Sequence, residues 1–514
     1  MTLTRRTFLG TALAAGVLSS VRVPAALAAE RLPLSVANDT GRFASGSIWM
    51  YVVGSDLTTG QQGYVRGDGT FVPASPALNG PDGYADLSVP ITAPPPSLPH
   101  MSGRIYFSIE QKLKFRVVTD GGGRSAFQYP AGWVSADPSY PVLHDCVEFT
   151  FGPGGMFCNT TMVDMLSIPM AIRLVGAQNQ TTGTFKAGGR ARVFEALRAL
   201  PDFRRLIIGD DLRVIAPGHG INAGLFAPDY LAPYIDEVWA KYRTTDLSVR
   251  INATTYTARV QGDLLTFGGG VAAFRKPTTK DVFFCDGALG APNDGRTGPV
   301  AAVLGAAFNR AVLRDHAAQP TTDPALYYRT PLTNHYSRVM HENTIDGRAY
   351  GFAFDDVLDF ASYIQDLAPT SFTVTLTPFG GGGDDPTLLS AGRPATASST
   401  EGAGLAAGNV VDGNAGTRWS SAFADPQWVS VDLGSARTVS RVRLRWEAAY
   451  ARAYRIETST NGTAWSTVHS TAAGDGGTDD VTFPAVAARH VRVYGTQRAT
   501  PYGYSLWEME VYGT

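Results

Sequence analysis

The run HDCVEFTFGPGGMFCNTTMVDMLSIPM, from His144 to Met170, constrains the chain most, because its alternating apolar residues are interrupted by a glycine cluster that must reverse the backbone. In CVEFTF, Val147, Phe149 and Phe151 share one strand face, and Glu148 and Thr150 share the other. Gly152-Pro153-Gly154-Gly155 makes the turn, and NTTMVDM is a second β-prone run that carries Asp164. Two registers are open. A turn centred on Pro153/Gly154 sets Glu148 opposite Asn159 and leaves Asp164 five residues further on, roughly 17 Å away at ~3.3 Å per residue. A wider loop centred on Met156 makes positions 148 and 164 cross-strand partners with both carboxyls on one face. Spacing alone does not choose between them.

The chain has 514 residues, enough for two or three domains, and its 44% hydrophobic content supports real cores. Lys plus Arg (43) nearly balances Asp plus Glu (45), so there is no electrostatic case for nucleic acid or an anionic membrane as partner, and a neutral polymer fits better. With 56 glycines and 32 prolines the composition reads as a loop-rich, mainly β protein. Residues 1–29 read as a twin-arginine export signal: TRRTFLG, an apolar run from Thr11 to Val21 too short to span a bilayer, and small residues for cleavage near Ala28 or Ala29. A secreted monomer is expected. Cys146, Cys158 and Cys285 are the only cysteines; Cys146 and Cys158 flank the hairpin, where one bridge and buried thiols are both open.

From Leu32 to about Val118, LPLSVAND, SIWMYVV and RIYFSIEQKLKFRVV alternate as strands of a sandwich or barrel. Glu110, in the last of these, is a third candidate acid, ranked below the pair and kept as a groove residue because it sits beside Lys112 and Lys114. Residues 180–345 change character. ARVFEALRAL, PDYLAPYIDEVWAKYR, GPVAAVLGAAFNRAVLRD and YYRTPLTNHYSRVMHENT carry helical spacing, which predicts an α/β subdomain inserted into the β framework. His219, in APGHGIN, has no Cys, His or carboxylate at metal-ligand spacing; it reads as a surface residue, and no catalytic metal or other catalytic cofactor is assigned. GGGVAAFRKPTTKDVFFCDGAL and DGRAYGFAFDDVLDF return to strand and turn signals, with Asp355 and Asp356 as structural turn residues, and FTVTLTPF closes the framework. Residues 380–388, opening on Gly380 to Gly383, form a linker that ends a domain at 30–379 and starts another at 389–514.

VEFTF, the glycine turn, NTTMVDM and the following IPM resemble glycoside hydrolase family 64, the thaumatin-like β-1,3-glucanases that release short oligosaccharides from laminarin-type glucan. The resemblance implies a thaumatin-like β-barrel or sandwich, with Glu148 as general acid and Asp164 as general base of an inverting reaction. Paired carboxyls then belong in the window of such enzymes, ~6.5 to 9.5 Å for inversion against ~5 to 5.5 Å for retention. Thr150, Asn159 and Thr161 fall within the motif and would line the groove; Phe151 and Phe157 stand where tryptophans are expected, and Phe157 is kept as a substrate contact. The alternative is a thaumatin-like glucan-binding protein without catalysis.

The last unit carries VVDGNAGTRWSS, QWVSVDLG, STNGTAW and YGYSLWEMEVYG, which resemble a factor 5/8 type C (discoidin-like) β-sandwich close to carbohydrate-binding module family 32. Asp412, Asn414 and Thr417 offer oxygens on one tight loop and Glu508 can close the cage, as a hard cation requires; in the resembling family this is a structural calcium site. Trp446, Arg498, Tyr502 and Tyr504 are the expected sugar contacts, since an aromatic plane covers a pyranose face and Arg donates to hydroxyls, while Trp419 and Trp428 are expected in the core. A lipid or adhesion role ranks last, because no exposed apolar spike is evident.

Overall fold

The computed structural model describes residues 30–379, 387–414 and 416–513, so the predicted export signal and most of the predicted linker lie outside the described residues. Two compact units meet in sequence between Phe379 and Gly380.

The first unit is framed by β1 (Leu34–Asn38), β2 (Ile48–Asp56), β3 (Met101–Ile109), β4 (Leu143–Gly152), β5 (Gly155–Thr160), β6 (Met170–Val175), β7 (Tyr363–Asp366) and β8 (Ser371–Leu376). One sheet runs β7-β5-β4-β3-β2 and continues through Gln62–Val65 and Phe71–Pro73. A second runs Asn179–Thr182, β6, β8, β1, with β1 parallel to β8. The alternation of β4 is realised as read: Val147, Phe149 and Phe151 are fully buried between the two sheets with Ile105, Phe107, Ile172 and Val374. Each such aromatic contributes roughly 1.5–3 kcal/mol by leaving water. On the opposite face, Cys146 packs with Tyr106, Phe115 and Phe127 under the hairpin Arg116–Thr119/Ser125–Gln128. That cover protects only part of β4, and Glu148 and Thr150 continue the same face beyond Cys146.

The chain leaves β5 into an α/β subdomain with its own core, from Met162 to Ala349. Its helices are α1 (Gly189–Arg198), α2 (Pro217–Asn222), α3 (Ala232–Lys241), α4 (Thr279–Phe284), α5 (Thr297–Asn309) and α6 (His335–Asn343). α6 begins after Pro331, so the first half of YYRTPLTNHYSRVMHENT is not helical. TKDVFF was expected as strand and turn. It forms α4 because Thr278 and Asp281 make a reciprocal capping box around its first turn. Asp355 is the structural aspartate expected: fully buried, it accepts from Ser337 Oγ (2.9 Å) and Gly351 N (3.0 Å), and meets Arg310 (3.2 Å) and His341 (3.0 Å). All three cysteines are buried free thiols. Cys146 and Cys158 cannot pair across the hairpin because they belong to the cores on opposite faces of the sheet.

The second unit is a β-sandwich built on β9 (Gln427–Trp446), β10 (Ala451–Ser459), β11 (Thr478–Arg498) and β12 (Ser505–Gly513), around Trp419, Val429, Leu444, Ile456 and Leu506. Trp419 is core, as expected, and Trp428 is half-buried.

Candidate active site

The hairpin that carries Glu148 adopts the tight register, not the wide one that makes residues 148 and 164 cross-strand partners. Gly152 pairs with Gly155, Thr150 with Phe157, and Glu148 with Asn159. Gly155 sits at φ +111°, and a Cβ there would lie 2.3 Å from the Asp366 carbonyl, so the turn requires glycine. Asp164 nevertheless returns to Glu148, because β5 stops at Thr160. There Thr160 N donates to Ser362 O (3.1 Å) and Met162 N to Tyr350 O (2.9 Å), and the chain bends across the face of the sheet. The long separation computed for the tight register assumes a strand that continues, and this one does not.

Arg104, on β3 directly opposite Glu148, joins the two acids. Its Nε and Nη2 both reach Glu148 Oε1 (2.9 and 2.7 Å), and its Nη1 reaches Asp164 Oδ2 at 3.4 Å. One planar guanidinium therefore spans both carboxylates and holds their contacting oxygens at most roughly 8 Å apart. Burial penalises the Arg104 cation, but the acidic groups around it, Glu148 and Asp164 among them, outweigh this and keep its pKa well above the ordinary arginine value. Nη1 also donates to the Tyr106 hydroxyl (3.3 Å), whose own pKa burial pushes up, so the phenol stays neutral.

Each acid has a second partner. Asn159 Nδ2 donates to Glu148 Oε2 at 3.2 Å, and Asp164 Oδ1 lies 2.8 Å from His219 Nε2. His219 is therefore not the surface residue expected from its sequence: its side chain is 11% exposed, stacks on Trp133 at 4.3 Å between ring centroids, and meets the Phe284 ring edge-on at 5.2 Å. Beside Asp164, the residues Arg104, Tyr106, Trp133, His144 and Thr161 help line a cavity of about 10 Å³, room for a single water.

The other groove residues separate. Thr150 exchanges a hydroxyl hydrogen bond with Ser102 (2.7 Å) on the Glu148 face, and Thr161 lines the cavity beside Asp164. Phe157 is half-buried opposite Thr150. Asn159 is 1% exposed, so it supports Glu148 from below rather than lining an open groove. Glu110 does not belong to this site. It is exposed just past the end of β3, six residues from Arg104 and so roughly 20 Å along the strand.

Residues 30–376 match the β-1,3-glucanase model of glycoside hydrolase family 64. The chain belongs to glycoside hydrolase family 64. Among its relatives, a glucan endo-1,3-beta-glucosidase of Cellulosimicrobium cellulans is 34% identical over 72% of this chain and 70% of its own length. A second, from Arthrobacter sp. (strain YCWD3), is also 34% identical, over 71% of this chain and 68% of its own. A laminaripentaose-producing β-1,3-glucanase solved in complex with laminaritetraose is 35% identical, with a TM-score of 0.62, over 68% of this chain and 99% of its own. Residues 394–509 match the F5/8 type C domain model, so the family 64 glucanase unit is followed by a second recognisable module.

In that module two expected sugar contacts are internal. Trp446 is 5% exposed with its indole N–H on Asp479 (2.9 Å), and Tyr504 is 1% exposed with its hydroxyl donating to Asp425. Neither ring can cover a sugar from inside the core. Tyr502 is 62% exposed and meets the exposed Phe423 edge-to-face at 5.9 Å, a partner that sequence reasoning missed. Arg498 buttresses this pair from behind: it donates to the carbonyls of Pro501 (3.1 Å) and Tyr502 (3.3 Å) and pairs with Asp425 (3.3 Å). Of the expected calcium ligands, Asp412, Asn414 and Thr417 share one loop closed by hydrogen bonds from Asn414 N (2.9 Å) and Thr417 Oγ1 (2.7 Å) to Asp412, and Glu508 is buried on β12. Among the described residues no cluster of three or more His, Cys, Asp or Glu side chains is arranged to hold a metal.

Proposed function

We propose that the protein is a secreted, endo-acting β-1,3-glucanase that cleaves glucan to short oligosaccharides with inversion at the anomeric carbon, Glu148 being the general acid and Asp164 the general base. The observation that carries this reading is the guanidinium shared by the two carboxylates. Oε1 of Glu148 is taken twice by Arg104, so the proton donated to the glycosidic oxygen is placed on Oε2, which keeps a lone pair to accept from Asn159. Asp164 takes a proton from the water that attacks the opposite face of the sugar, through an oxocarbenium-like transition state. The acid gains a negative charge as the base loses one, so the pair carries one net charge throughout. Arg104 touches both members and stabilises whichever is ionised.

Thr150 and Thr161 supply hydroxyls and Phe157 an apolar ring, a lining suited to an uncharged polysaccharide. The twin-arginine sequence supports export. For the second module, the exposed Tyr502 and Phe423 rings support a polysaccharide-holding role. The loop of Asp412, Asn414 and Thr417 together with Glu508 is a donor set of hard oxygens, which supports a structural calcium ion; the melting transition of the module should rise in millimolar calcium and fall in EDTA, and no shift removes the assignment.

The catalytic assignment is tested with Glu148→Gln and Asp164→Asn in the full-length protein. Each should lower reducing-sugar release from laminarin about 1,000-fold or more while the melting temperature stays within a few degrees. A wild-type rate in either variant removes that residue from the mechanism, and no hydrolysis by the wild type leaves a glucan-binding protein.

A further inference from the structure

We infer that His219 is a positioning residue for the general base: its ring, clamped between Trp133 and Phe284, donates from Nε2 to Asp164 Oδ1 and fixes which carboxylate lone pair faces the attacking water. The inference rests on Asp164 being that base.

A carboxylate turns easily about its last side-chain bond, and a general base works only if one oxygen points at the water when the sugar is in place. Arg104 alone does not determine that orientation, because its contact with Oδ2 is long, at 3.4 Å, and the same cation is held more closely by Glu148. The 2.8 Å contact from His219 to Oδ1 supplies the second point of attachment. With both oxygens engaged, the plane of the carboxylate is set. Against an ionised Asp164, Nε2 must carry the proton.

The ring is itself fixed. Trp133 lies nearly parallel to it, with 25° between the planes, and Phe284 meets it edge-on. The two flanking glycines make that fit possible: a Cβ at Gly218 would lie 2.8 Å from the Phe284 ring, and one at Gly220 only 2.2 Å from Leu206. The backbone ties base and brace together as well, since Ala216 N, at the start of α2, donates to the Asp164 carbonyl at 2.9 Å. A histidine that merely filled space would need the packing but not the contact with Asp164.

Two substitutions separate these roles. His219→Phe keeps a ring between Trp133 and Phe284 and removes the donor; His219→Gln keeps an N–H at nearly the same reach and removes the ring. For His219→Phe, kcat on laminarin should fall roughly 10- to 100-fold with KM within about threefold, and for His219→Gln kcat should stay within about fivefold of wild type. Wild-type kcat in a folded His219→Phe overturns the inference. Should His219→Phe lack a cooperative melt, His219→Gln decides: near-wild-type kcat supports the brace, and a folded His219→Gln that loses tenfold or more overturns it. Asp164→Asn is run alongside. If it is inactive while His219→Phe is fully active, only the brace fails; if Asp164→Asn is itself active, the assignment of the base fails instead.

Discussion

The groove of the glucanase unit and the ring pair of the second module are built on opposite principles. In the groove, charged side chains are nearly buried and cross-braced: Glu148 and Asp164 share Arg104, and each has a further partner in Asn159 or His219. In the module, Tyr502 and Phe423 stand exposed on loops, and the nearby Arg498 is spent on backbone carbonyls and Asp425. Placing charge precisely out of bulk water demands partners on several elements, whereas a sugar face needs only an open ring. The first site should therefore fail sharply when one member is removed, and the second should weaken by degrees.

After the two acids themselves, the largest effect is expected at Arg104. Arg104→Met removes the cation that stabilises whichever member of the pair is ionised and the group that orients both carboxyls, so the charge that moves from base to acid during the reaction loses its counter-ion. Laminarin turnover should fall about 100- to 1,000-fold, and Arg104→Lys should not restore it, because a point charge cannot span both acids. Recovery of activity in the lysine variant would show that charge alone suffices and break the contrast with the module.

A second effect concerns His144 and Asp145, which line the small cavity beside Asp164. His144 is fully buried, and burial together with Arg213 lowers its pKa to about 3. The unfolded chain binds this proton from about pH 6.5 downward and the folded chain does not, so the contribution of His144 is fully present above pH 6.5 and is lost as pH falls toward 3. The adjacent Asp145, pushed up to about 7 by burial against the backbone N–H bonds of Ser167, Cys146 and Ile168, runs the other way: its contribution shrinks as pH rises from about 4 to 7. The two largely offset each other in the wild type. In His144→Asn only the Asp145 slope remains. Between pH 6.5 and 4.5 the wild type should lose about 2–3 kcal/mol relative to the variant, at about 1.4 kcal/mol per pH unit. Urea unfolding followed through loss of laminarin hydrolysis checks this; parallel curves for the two proteins contradict it.

What could be read from the sequence follows the same division. The alternation of β4, the helices α3 and α5, and the two acids were all legible, because an amphipathic period and a carboxylate in an apolar strand leave local traces. The end of β5 was not, since it is set by Ser362 and Tyr350, some 200 residues away, and so the wide register was needed to bring Asp164 home. Arg104 left a faint trace: a charge on the strand face that also carries Tyr106 and faces Glu148. His219 left another in its two flanking glycines, which signal close packing rather than a free loop. For the module the expectation failed on Trp446 and Tyr504, because an aromatic ring suits a core as well as a sugar and its type does not say which.

Smaller effects test the module side. Removing both exposed rings, Phe423→Ala with Tyr502→Ala, should weaken retention on insoluble polysaccharide roughly tenfold, about 1–2 kcal/mol, while soluble laminarin is hydrolysed at the wild-type rate. Pull-down on curdlan, cellulose and chitosan reads this directly. Unchanged retention on every polymer the wild type holds would place the binding face elsewhere. Glu110→Gln should change neither turnover nor binding beyond about twofold, as befits an exposed residue remote from Arg104; a tenfold loss of kcat would extend the groove to the far end of β3.

The most direct measurement is proton NMR of the first sugar released from a β-1,3-glucan, recorded before mutarotation. The separation bounded by Arg104 admits both the retaining and the inverting spacing, so the anomer distinguishes them. An acid and a base working on opposite faces of the sugar through one water predict that the α anomer forms first; a β anomer forming first would mean that Asp164 or Glu148 attacks the sugar itself, and would contradict the account.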